Sequence, residues 1–150
     1  MLLTAHPARA QVYGSAAHTV TVQVSVITAV QVAGGSVSLN ISNANVVAGQ
    51  DQMTAVDQST SLLWGTNSSA RKISVATNLA APKFTLRLFA LNPTQGTAAA
   101  QVTLSTIAHD LVLNIGRSTG SCTLQYTGTA LASQGTGNDT HVITFTVAAQ

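Results

Sequence analysis

The sequence predicts an all-β fold, an antiparallel two-sheet sandwich of immunoglobulin-like or jelly-roll type with eight or nine strands. Three observations predict it. Glu is absent and Lys and Arg together number six, while Ser and Thr fill 35 positions; such a chain lacks the residues that cover exposed helix faces and is rich in those that suit a pleated surface. Apolar residues recur with period two in several short segments. Between the segments lie clusters of Gly, Asn, Pro and Ser that favour turns.

The longest alternation runs from Thr19 to Val32, where Val20, Val22, Val24, Val26, Val30 and Val32 are spaced by Thr, Gln, Ser and Ala and the rhythm lapses only at Thr28. At roughly 3.3 Å per residue it would reach about 46 Å, far beyond an ordinary strand, so it must bend between sheets or extend outside the domain. These six valines are the candidate assembly strand. Gly34-Gly35 then suggests a two-residue hairpin turn into Val37, Leu39 and Ile41. Further strands are expected at Ser61 to Trp64, Lys72 to Thr77, Phe84 to Leu91, Gln101 to Thr106, Leu111 to Ile115, Cys122 to Thr127 and His141 to Val147. Only Ile107 to Leu113 has a spacing that one helical turn would also fit. In the strand from Cys122, the cysteine alternates in phase with Leu124 and Tyr126, which places it in the core as a small apolar residue.

Residues 19–150 form one expected domain, with no repeat or linker dividing them, and residues 1–18 an N-terminal arm. Within the arm, Ala8-Arg9-Ala10 has the small-x-small pattern of a signal-peptidase site, so residues 1–10 are expected to be the remnant of an export signal. That points to an extracellular or cell-surface location. No apolar run approaches the ~20 residues of a membrane helix.

The formal net charge is +2, and the six cations, Arg9, Arg71, Lys72, Lys83, Arg87 and Arg117, are scattered apart from one adjacent pair. No stripe follows a phosphate backbone, so nucleic-acid binding is disfavoured. The low charge density also leaves little repulsion between copies.

Gly116-Arg117-Ser118-Thr119-Gly120 formally matches G-x-S-x-G, with Asp139 and His141 following in hydrolase order. The chemistry needs the serine on a strand-to-helix elbow, whereas Ser121-Cys122-Thr123-Leu124-Gln125-Tyr126 continues as a strand, so no catalytic residue is assigned. His6, His18, His109 and His141 lack ligand spacing, and the Asp residues are isolated, so neither a metal nor a cofactor is expected. The aromatics, Tyr13, Trp64, Phe84, Phe89, Tyr126 and Phe145, are too few to fill a core and also form a sugar-stacking face. Asn40, Asn67 and Asn138 head glycosylation triplets, as chance allows in a chain this rich in Ser and Thr.

An N-terminal arm leading into a long Val/Thr strand, the Ala8-Arg9-Ala10 tripeptide, a Thr-, Ser- and Gly-rich body and the terminal strand Val142 to Val147 together resemble the secreted β-sandwich subunits of microbial pili, surface fibres and biofilm filaments. Unlike the chaperone-usher pilins, which usually have a cysteine pair and a tyrosine near the C-terminus, the chain has Cys122 alone and ends Val-Ala-Ala-Gln. The resemblance implies donor-strand exchange, in which one subunit's N-terminal strand completes its neighbour's sheet and the partner is a second copy of the same chain. A secreted binding module for a glycan, protein or host surface, and a jelly-roll capsid protein, remain as alternatives.

Overall fold

The computed structural model describes residues 15–150; the expected signal remnant, residues 1–10, and most of the expected arm, with His6, Arg9 and Tyr13, lie outside the described residues. Among the described residues nine strands form two antiparallel sheets. They are β1 (Thr28–Ala33), β2 (Gln52–Thr66), β3 (Arg71–Thr77), β4 (Thr85–Leu91), β5 (Thr97–Ala98), β6 (Val102–Thr103), β7 (His109–Ile115), β8 (Ser118–Leu131) and β9 (Ile143–Ala149). The larger sheet has the order β1-β2-β8-β4-β6 and the smaller β5-β7-β3-β9.

The spine is the pairing of β2 with β8, which runs from Gln52↔Leu131 to Thr66↔Ser118. Its ladder is interrupted between Asp57 and Thr60 by a bulge, where the Asp57 carboxylate accepts from the backbone (3.0 Å) and hydroxyl (2.7 Å) of Ser59. A bulge adds a residue and so flips the side-chain phase. Met53, Ala55 and Asp57 face inward before it; Thr60, Leu62, Trp64 and Thr66 do so after it. Thus β2 is far longer than the Ser61–Trp64 segment visible as an alternation.

Between the sheets, Leu62, Leu88, Leu124, Ile73, Val75, Leu111 and Ile115 are fully buried. Burying each large aliphatic side chain contributes about 1.5–3 kcal/mol, which makes this layer the dominant stabilising term. Cys122 joins it at 4% exposure, and burial pushes its thiol up to about 11, with a backbone hydrogen bond at Leu62 acting weakly in the opposite direction. Thiol reagents act on the thiolate, so native protein is expected to label slowly and denatured protein fast; rapid labelling of the native state would contradict this packing. Tyr126 is likewise pushed up to about 12 by burial, aided by the charge of Asp57.

Three sequence expectations are corrected. The strand expected from Thr19 begins only at Thr28, because its partner β2 ends at Thr66, opposite Thr28. The Gly34-Gly35 hairpin does not form: β1 pairs with β2, and residues 36–42 carry no strand. Val37 and Leu39 instead pack against the core as a plug, Leu39 lying over Gly128, where a Cβ would come within 3.1 Å of it. Gly34 marks the departure, with φ of +113° against the Thr60 side chain at the bulge. Finally, Ile107 to Leu113 holds no helical turn, the chain bending near Ile107 and entering β7 at His109.

Candidate assembly site

Between Ser15 and Ile27 the chain has no helix or strand, and every one of these residues is exposed. Val20, Val22, Val24 and Val26 are 71%, 82%, 68% and 75% exposed, and Ile27 follows at 54%. Single exposed valines are ordinary, but four in strict alternation on one segment form a row that a β-pairing would bury on one side. The six candidate valines therefore divide. Val30 and Val32 belong to β1, opposite Trp64 and Leu62, with Val30 packed against the core and Val32 still 43% exposed. The other four lie on the arm.

The arm leaves the body at one clamp, which the sequence showed only as a glycosylation triplet. The Asn67 side-chain amide donates to the Ser25 carbonyl (2.8 Å), its side-chain oxygen accepts from Ile27 N–H (2.8 Å), and its backbone N–H donates to the Ile27 carbonyl (3.2 Å). Asn67 thus extends the β1–β2 ladder by one side chain where β2 has ended. A glycan on the same nitrogen would occupy the atom that holds Ser25. Beside the clamp is an open cleft of about 420 Å³ lined by Val24, Val26, Ser68, Ser69, Arg71 and Arg117. Nε of Arg71 is buried without a hydrogen-bond partner, and the ion pair among the described residues, Lys72 with Asp110 at 2.9 Å, lies elsewhere.

β1 and β9 lie side by side along one flank of the sandwich. In the smaller sheet Ile73, Val75 and Thr77 of β3 point inward and are at most 4% exposed. Their registered neighbours on β9, Val147, Phe145 and Ile143, face the same way but are only partly buried, because among the described residues no strand lies beyond β9. The direction of the free peptide groups follows from the ladder. Gln150 N–H donates to the Ala70 carbonyl (2.9 Å) and Asn78 N–H to the Val142 carbonyl (3.1 Å), at either end of a continuous β3–β9 register. Antiparallel residues alternate between facing the partner and facing away. Thr144, Thr146 and Ala148 therefore bond to β3, while Ile143, Phe145 and Val147 turn their N–H and C=O groups to the open edge.

The G-x-S-x-G residues are not assembled into a catalytic array. Ser118 starts β8, as the strand-like continuation predicts, and its hydroxyl donates to the Gly116 carbonyl at 3.2 Å. Nδ1 of His141 is 3.0 Å from the buried hydroxyl of Thr77 instead. Burial lowers the affinity of that imidazole for a proton, with Asp139 pulling the other way; the Asp139 carboxylate accepts from Phe84 N–H at 2.8 Å. His109 pairs with Ser105 at 3.2 Å, and His18 is exposed on the arm. Among the described residues no three His, Cys, Asp or Glu side chains are grouped to hold a metal, and no helix is long and apolar enough to cross a membrane.

No protein-family model, curated protein or solved structure matches the chain.

Proposed function

We infer that the protein is a structural subunit of an extracellular filament, pilus-like fibre or surface assembly, which polymerises by adding a β-strand from one copy to the sheet of the next. The observation that carries this is the row Val20, Val22, Val24 and Val26, alternating and exposed on a segment that, among the described residues, belongs to no strand and is tied to the body only at Asn67. β-strand addition meets both needs of such a segment at once, satisfying its backbone and burying one side. The low charge of the chain, with Asp and Glu numbering four, removes the repulsion that keeps monomers apart. The Thr- and Ser-rich, Glu-free composition agrees with a location outside the cell.

Negative-stain micrographs of purified protein are expected to show linear polymers. Closed shells would favour a jelly-roll capsid protein. A second reading, a secreted binding module, draws on the cleft at Arg71 and Arg117, whose basic and hydroxyl side chains suit an acidic glycan or protein. It would be favoured by monodisperse monomers that bind an acidic polysaccharide saturably.

A further inference from the structure

We propose that the acceptor for the arm is the open edge of β9 in a second copy, with Val22 and Val24 set against Phe145 and Val147 and the arm becoming a fifth strand of the smaller sheet, an assignment that rests on the assembly function proposed above.

Length and pattern agree first. Val20 to Val26 spans seven residues, and so does β9, Ile143–Ala149. Centring one on the other places Val20 to Val26 beside Ile143, Phe145 and Val147 whichever way the added strand runs. Directly paired residues point to the same face of a sheet. The valines would therefore cover the inner side, over the partly exposed Ile143, Phe145 and Val147, while Thr21, Gln23 and Ser25 would join Thr144 and Thr146 on the outer side. The backbone agrees as well, because the three inward residues of β9 are those whose peptide groups face the open edge.

Chemistry agrees next. Soluble β-proteins blunt open edges with Lys, Pro or inward charges. Neither Thr19 to Ala33 nor Val142 to Gln150 contains a charged residue or a proline. The competing edges are poorer templates. β5 and β6 are two residues long, too short for four valines. The free side of β1 offers Val30 and Val32 alone, and β1 itself continues into the arm.

Disulfide trapping between two differently tagged full-length copies tests the assignment. One copy carries Gln23→Cys and the other Thr144→Cys or Thr146→Cys, all three positions being exposed so that folding is undisturbed. Cys122 is buried and does not compete. Opposed outer-face residues have Cβ atoms about 4.5–5.5 Å apart, within reach of a disulfide after small adjustment. Partners holding Thr103→Cys on β6 or Gln31→Cys on β1 report the other edges. Cross-linking at position 144 or 146 is expected to run about tenfold or more above those two, as docking raises the local concentration. Polymers that cross-link at 103 or 31 but not on β9 would overturn the acceptor and leave the assembly function standing. A Gln23→Cys/Thr146→Cys protein that closes within one chain and stays monomeric would overturn it too. Absence of both polymers and cross-links would remove the assembly function, and the acceptor with it.

Discussion

Protein carrying Val22→Lys together with Val24→Lys is expected to fold as before and to lose assembly. The two side chains are 82% and 68% exposed, so lysines there remove little packing from the described fold, Val24 only edging the cleft by Arg71 and Arg117. Surface changes of this kind usually stay within about 0.5 kcal/mol, so the melting temperature of monomer should hardly move. In a polymer the same positions would be covered. Burying four valines gives a gross gain of roughly 6 kcal/mol at ~1.5 kcal/mol each, before ordering costs. Removing two of them forfeits about 3 kcal/mol, equivalent to a roughly hundredfold higher critical concentration, and the two ammonium groups add desolvation on top. Sedimentation across a concentration series reads the loss, and thermal melts read the fold. Val30→Lys is the contrast, since Val30 packs against the core opposite Trp64 and its replacement should unfold the domain. Polymers of the double variant at the wild-type concentration would exclude the arm from the contact.

Why the sequence showed this segment as part of one long strand has a physical answer. The valines keep the same phase from Val20 to Val32, and alternation measures only which side chains share a face. A strand, however, exists only where a partner supplies hydrogen bonds. That partner, β2, stops at Thr66, and the position of its end is set by the turn at Asn67 to Ala70, with Ala70 at φ of +53°. The sandwich class, β3, β4 and β9 were legible within a residue or two, because each is one strand with an inward row in phase. β2 and β8 were legible in part, the bulge at Asp57 to Thr60 having swapped the inward phase of β2 midway. The hairpin failed for the reason the long strand did. Residues 36–42 have a strand's alternation, but β2 takes the ladder of β1, leaving Val37 and Leu39 to pack without one. Of the proposed assembly site, the valine row was visible and the rest was not. Neither the Asn67 clamp nor the open side of β9 leaves a periodic mark, since both depend on which strand lies beside which.

Gly120→Ala is expected to be among the most destabilising single-atom additions in the chain, although by motif it belongs with Gly116 to a formal G-x-S-x-G. Gly120 lies in β8 directly opposite Trp64 of β2, and the indole rests on its backbone. A Cβ there would come within 2.6 Å of two ring carbons and 2.7 Å of the ring nitrogen. Trp64 is 5% exposed and packed in the core, so the ring has little room to withdraw. Overpacking of this kind costs about 1–3 kcal/mol, which for a domain of this size lowers the melting temperature by roughly 2–4 °C per kcal/mol. At Gly116 a Cβ would meet nothing within 4 Å and φ is not positive, so Gly116→Ala should be nearly neutral. The contact itself can be isolated by a double-mutant cycle. Trp64→Leu alone is destabilising because it empties core volume, but in its presence the Gly120→Ala penalty should shrink, giving a coupling energy of about 0.5–3 kcal/mol. Since Trp64 is the single tryptophan of the chain, its fluorescence in Gly120→Ala should shift with the displaced ring. Equal penalties at positions 116 and 120, or no coupling to Trp64, would mean that the second glycine of the motif is needed for something other than the indole it carries.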